Sequence, residues 1–217
     1  MVIKMTESRS LSLIETIFAV LSVSVCLTGS KIVQISISDT LSFATPASAF
    51  CFVLTFFFSS LITHIAGPSE ATKCVKNGAI GQIASSILFF LVGLMPAQNI
   101  EIQRSYSLIL GSSWILVAAS LTAFIVSQKV QIKLFDLLNS KTAQPGRSVL
   151  VSMLLSQIVD TLLFTVIAFG LGQSMLFSIE GLKLILNMFT TQYLVKIFVS
   201  ILFSPVFSVV LHKVKVS

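Results

Sequence analysis

The sequence predicts an all-α integral membrane protein, a six-transmembrane-helix bundle with both termini in the cytoplasm, and three observations predict it. The 217-residue chain is 55% hydrophobic and only 10% charged, with a mean hydropathy of +0.99; an average soluble domain carries about 25% charged residues. Six apolar runs recur along it, and a helix rising about 1.5 Å per residue needs about 20 such residues to cross the hydrocarbon core. Lys and Arg collect in alternate gaps between the runs, the pattern that retains basic loops on the cytoplasmic side.

The first run extends from Leu11 to Thr28. The second covers Pro46 to Ala66, with Pro46 suited to a helix N-terminus and Gly67-Pro68 closing it. The third covers Ala79 to Met95, and the fourth Leu108 to Gln128 with a helical continuation through Lys129 and Lys133. The fifth covers Ser148 to Gly170. The last, Leu182 to Leu211, is long enough to tilt, and Pro205 is its expected kink point. Asn139 to Arg147 is polar, holds a Pro-Gly pair and reads as a turn rather than a linker, so residues 1–217 are expected to form one transmembrane domain.

Orientation follows from the basic residues. Lys4, Arg9, Lys73, Lys76, Lys129, Lys133, Lys141, Arg147, Lys213 and Lys215 fall on one side, whereas Lys31, Arg104 and Lys183 fall on the other, ten against three. An even number of spans then puts both termini inside. The same scatter argues against a direct nucleic-acid partner despite the net charge of +6, because a nucleic-acid footprint needs basic residues clustered on one face. Cys26, Cys51 and Cys74 lack metal-like or redox-like spacing and read as small apolar fillers. Lys4 and Arg9 precede an apolar run as in a signal peptide, but Glu15 interrupts that run and no clear small-residue cleavage site follows. Nucleotide-binding, dinucleotide-binding and lipidation motifs are absent, no cofactor or metal is expected, and no nucleophile, base and orienting group recur at one depth as an enzyme would need.

The most informative residue is Asp160, deep in the run Arg147 to Phe164, RSVLVSMLLSQIVDTLLF. A carboxylate inside a span is costly and usually faces the bundle interior or a water-filled cavity. On a helix it shares a face with Ser156, Gln157 and Phe164, with Thr161 on the flank. The fourth span presents Ser120, Phe124, Ser127, Gln128 and Gln131 on a matching face, and Ala119, Ala123, Ser112 and Ser113 allow close helix approach. The serines also read as packing residues that bond back to their own helices. Counted from the span ends, Lys196 lies at a depth similar to Asp160. A buried cation and anion at one level would pair, because each alone carries a large desolvation penalty. Either the pair is static or it opens to admit a substrate or a proton. His64, behind Ser59, Ser60 and Thr63, and Glu15, near the start of the first span, are candidates for ion coupling, with simple solvation at the interface as the alternative for each.

With those residues in view, the chain resembles the queuosine precursor transporter family, bacterial inner-membrane proteins of six spans placed among the vitamin uptake transporters. The resemblance covers nearly the whole length. It rests on Arg147 followed by SQIVDTLLF, with Ser156, Gln157, Asp160, Thr161 and Phe164. Supporting it are PASAF at Pro46 to Phe50, LITHIAG at Leu61 to Gly67, Glu70-Ala71, ASLTAFIVSQ at Ala119 to Gln128, and YLVKIFVSILFSP with Lys196 and Pro205. The chain departs from the family at Ser60, His64 and Gln131, where members usually carry carboxylates.

The resemblance implies import of a nucleobase-like solute, a 7-deazaguanine such as queuine, preQ0 or preQ1, into the bacterial cytoplasm for tRNA modification. The expected site comprises Asp160, Gln157, Ser156, Thr161, Phe164, Gln128, Phe124 and Lys196; by depth alone it is expected between the fourth, fifth and sixth helices near the bilayer midplane. A carboxylate accepts adjacent N–H donors in a bidentate manner, an amide reads a neighbouring carbonyl or ring nitrogen, and Phe164 or Phe124 stacks on the ring. The lipid bilayer, a proton or other coupling ion and a second copy in a homodimer complete the expected partners. The alternative is a substrate-binding subunit of an energy-coupling-factor importer, although the Ala-x-x-x-Ala contact motif frequent on the first helix of such subunits is not found.

Overall fold

The computed structural model describes residues 2–29, 31–38, 41–111, 114–142 and 144–213; Ser112, Ser113 and Lys215 lie outside them. The described residues form seven α-helices: α1 (Val2–Thr28), α2 (Ser48–Ala66), α3 (Pro68–Gly93), α4 (Ile100–Leu110), α5 (Trp114–Thr142), α6 (Pro145–Thr165) and α7 (Ile179–Lys213). The described residues form a helical membrane bundle. Among the described residues, five segments are long and apolar enough to cross a bilayer, namely Ser48–Ala66, Pro68–Gly93, Ile100–Thr142, Pro145–Leu171 and Ile179–His212, while α1 carries a shorter apolar stretch, Ser10–Val25.

Several element boundaries differ from those read off hydropathy, for one recurring reason. Hydropathy marks the part of a helix that lies in lipid, whereas the hydrogen-bonded helix runs on past the interface. Thus α3 starts at Pro68 rather than Ala79. Its polar first turns hold an exposed Glu70–Lys73 pair at 2.8 Å, an i,i+3 contact that supports a helix in water. Likewise α5 continues past Lys129 and Lys133 to Thr142, and α6 begins at Pro145. Pro145 and Gly146 therefore open a helix instead of sitting in the expected turn, since proline fits a first helical turn where its missing N–H goes unused. Leu108 belongs to α4, a separate helix that Asn99 caps by accepting from the Ile102 amide at 2.9 Å and that ends at Gly111.

A second difference is the antiparallel hairpin of β1 (Ile32–Ser38) and β2 (Leu41–Pro46), paired from Ile32 with Pro46 to Ser36 with Ser42. Its β-branched run is too short for a 20-residue window to register. The hairpin takes Pro46 out of the second helix, which starts at Ser48, and the Ala47 amide donates to the Lys31 carbonyl at 2.8 Å to close its base. At the other end of α2, Gly67 adopts φ 87° and ψ 168° before Pro68 starts α3. That backbone favours glycine and turns the chain sharply between two helices.

α2 is the central helix: 56% of its apolar window is buried, against 39% or less in each other crossing segment. It contributes Val53, Phe57 and Leu61 to an apolar cluster with α5, α6 and α7, in which Phe57 stacks on Phe207 at 4.1 Å. It also contributes Phe52 and Ile62 to a second cluster with α1, α3 and α5. Between these clusters the bundle is polar inside and apolar outside, the inverse of a water-soluble core. Ser127, Gln128, Gln131, Ser152, Ser156, Gln157, Asp160, Lys196 and Ser200 are all buried while Leu155, Leu162, Phe198 and Leu202 are exposed. Lipid solvates the exposed apolar faces, and interhelical hydrogen bonds hold the polar interior. Pro205 lies inside α7, where its missing amide deletes one helical hydrogen bond.

Candidate functional site

Side-chain contacts define how the helices run past one another. Ser127 meets Asp160 and Gln131 meets Ser152, so α5 and α6 are antiparallel; Thr55 meets Gln128 and Ser60 meets Gln131, so α2 and α5 are parallel. Gln157 with Ser200 and Asp160 with Lys196 make α6 and α7 antiparallel. Asp160 therefore sits where α5, α6 and α7 converge, with α2 closing the fourth side.

The charge pair expected from depth alone is present. Lys196 Nζ donates to Asp160 Oδ2 at 2.8 Å and to Thr161 Oγ1 at 2.9 Å, and it lies 5.2 Å from the centre of the Phe52 ring. Ser127 Oγ lies 3.1 Å from Asp160 Oδ1. Asp160 is 1% and Lys196 4% exposed. Two charges so far out of water are tolerated because each meets the other and a further polar or aromatic group; either alone would be strongly destabilising.

The pair forms part of the floor of a cavity of about 760 Å³, within the range of small-molecule sites. Its wall comes from one end of the bundle: the end of α1 and start of α2 at Gly29 and Ser48, the end of α3 at Gly93, α4 at Tyr106, and the start of α5 at Trp114. Phe164 lies one turn beyond Asp160 on the wall, and Gln192 one turn before Lys196. The cavity thus joins aromatic and aliphatic surface to one carboxylate, one ammonium and a few neutral polar groups.

The other residues singled out in the sequence lie around this cavity in different ways. Thr161 supports Lys196. Gln157 Nε2 donates to Ser200 Oγ at 3.0 Å, holding α6 to α7. Gln128 Nε2 donates to Thr55 Oγ1 at 3.0 Å. Phe124 lies 6.2 Å from Phe18 in the apolar cluster and is not among the cavity-lining residues. Ser156 is fully buried, and its hydroxyl meets no hydrogen-bond partner among the described residues. His64 packs edge-on to Phe135 at 6.3 Å, away from the cavity, and half-buried Glu15 interacts with Cys74 of α3. Neither His64 nor Glu15 lines the cavity, and no group of three or more His, Cys, Asp or Glu side chains suited to a metal occurs among the described residues.

Several polar residues of this interior escaped sequence reasoning. Thr55, Ser152 and Ser200 matter only because each receives a glutamine amide from another helix, which no single-helix face reveals. Gln82 of α3 is 1% exposed with both amide atoms unpartnered among the described residues, one turn before the cavity residue Ser86. A glutamine inside a span is itself the signal that would have found it. Each unpartnered polar atom costs about 1–3 kcal/mol unless a solute or water meets it.

A multi-pass membrane protein with a cavity of this size and a buried charge pair on its floor has the build of a small-solute transporter. The chain belongs to the family described as "Putative vitamin uptake transporter", whose model matches residues 46–210. No curated protein and no solved structure matches it.

Proposed function

We propose that this protein imports a queuosine precursor, a 7-deazaguanine such as queuine, across the bacterial inner membrane for later tRNA modification. The observation that carries the proposal is the buried Asp160–Lys196 pair lining a cavity that can hold a nucleobase. Asp160 receives the adjacent N–H donors of a guanine-like edge, Phe164 stacks on the ring, and Gln192 reads a neighbouring acceptor. To take the substrate, the carboxylate exchanges Lys196 for it, and Lys196 keeps Thr161 and the Phe52 ring as partners. The charge thereby stays solvated by protein while the pair is open. Gln157, Gln128 and Ser156 act below this first contact, and Phe124 supports it from the apolar side.

In this reading the chain is one transmembrane domain of six spans, α1 included, with both termini cytoplasmic. The cavity end, formed by the α1–α2 and α3–α5 connections, is then the external end. Family membership supports uptake, and the resemblance of SQIVDTLLF supports the precursor. Expression in a salvage-dependent host lacking its own importer tests the proposal, with tRNA queuosine after queuine feeding as the readout. Restored queuosine is expected, and Asp160→Asn at equal membrane level is expected to abolish it. Absence of rescue by the unaltered protein overturns the substrate assignment; full rescue by D160N overturns the role of Asp160.

A further inference from the structure

Below the charge pair, away from the cavity, lies a layer of neutral polar groups whose hydrogen-bond accounting does not close. Thr55 donates its hydroxyl proton to the Phe52 carbonyl at 2.8 Å, Ser60 to Phe56 at 3.0 Å, and Ser152 to Ser148 at 2.7 Å. A hydroxyl has one proton, so towards other helices these three oxygens act only as acceptors. Gln128 turns Nε2 to Thr55, and Gln131 turns Nε2 to both Ser60, at 2.6 Å, and Ser152, at 3.0 Å. Both amide oxygens are left without a donor among the described residues, as is the Ser156 hydroxyl without a partner, and all three residues are 0% exposed.

These atoms share one level of the bundle. On antiparallel α5 and α6, the Ser127–Asp160 and Gln131–Ser152 contacts bracket Gln128 and Ser156. Among the described residues the level therefore offers two unpartnered acceptors, Gln128 Oε1 and Gln131 Oε1, and one hydroxyl able to donate. It holds no charge of its own, and the neighbouring carboxylate is already neutralised by Lys196. A cation would lack a counter-charge there.

We infer that Gln128, Gln131 and Ser156 form a second, inner recognition site for a neutral edge carrying two N–H donors beside one acceptor. The inference rests on the import reading given above and extends it: the solute first meets the charged floor of the cavity, then passes to an uncharged site that reads the same edge. Gln131 becomes a specificity residue. Because the layer is closed to the cavity, a solute reaches it only when the floor parts.

Ser156→Ala is the decisive variant, since it removes a hydroxyl that meets no partner among the described residues. In proteoliposomes, S156A is expected to lower queuine uptake about tenfold, the value of one hydrogen bond, with thermal stability equal to or above that of the unaltered protein. A queuine analogue lacking the ring carbonyl is expected to show no such difference between the two proteins. Unchanged queuine uptake by S156A, or a loss that follows a fall in stability, overturns the inference. A separate arm uses Ser156→Cys with Cys26, Cys51 and Cys74 replaced by Ala, labelled in membrane vesicles with a thiol reagent. Guanine is expected to slow labelling. If the unaltered protein takes up no queuine but guanine protects the cysteine, the precursor assignment falls and the inner site stands. A cysteine that guanine leaves unprotected overturns the inner site whatever is transported.

Discussion

The two polar levels of this bundle solve burial in opposite ways. At the cavity floor, Asp160 and Lys196 are charged, and each finds partners in Ser127, Thr161 and the Phe52 ring. One turn further in, Gln128, Gln131 and Ser156 are neutral, yet three of their polar atoms find none among the described residues. The charged level cannot leave a partner unmade because an unpaired ion in a low-dielectric interior is too costly. The neutral level can, at a cost the bundle tolerates. Completed bonding at one level and incomplete bonding at the other separate what holds the bundle from what is free to bind.

Breaking the charged level should have the largest effect. Lys196→Met leaves Asp160 without its counter-charge and is expected to lower stability by about 3–5 kcal/mol, read as thermal unfolding in lipid nanodiscs. Adding Asp160→Leu to it should restore most of that stability without restoring uptake. A single K196M protein as stable as the parent would show that the pair contributes little.

Closing contacts at the end away from the cavity come next. Gly146 of α6 packs against Ser208 of α7 so tightly that any Cβ collides with it. Gly146→Val should cost about 1–3 kcal/mol through overpacking, measured by the same unfolding assay. A stability unchanged within error would mean the helices separate there freely.

The neutral level should respond least. Gln131→Leu removes the donors to Ser60 and Ser152 but also an unpartnered oxygen. These partly offset, for a net loss of about 1 kcal/mol, while uptake should fall by much more than that loss predicts. Stability and uptake falling together would collapse the distinction between the two levels.

Much of this was legible in the chain because membrane burial makes simple demands. The helices behind the second, fifth and last apolar runs, the Gly67-Pro68 break and the pairing of Asp160 with Lys196 all follow from length, backbone chemistry and depth. The hairpin between α1 and α2 and the early start of α3 were not, since hydropathy is silent about hydrogen-bonded backbone outside lipid. The role of Phe124 was ambiguous for a different reason. Helical periodicity puts it on the face of Ser120 and Gln128, but its ring rests against Phe18 from another helix.

The sequence by itself determined that this is a membrane bundle with an acid and a base at one depth, because the free-energy cost of burial restricts where such residues fall. Only the tertiary structure decided that the pair floors a cavity at one end of the bundle. It also decided which hydroxyls of α2 and α6 the amides of Gln128 and Gln131 meet. Those contacts run between helices, and no single helix contains both the amide and the hydroxyl it meets.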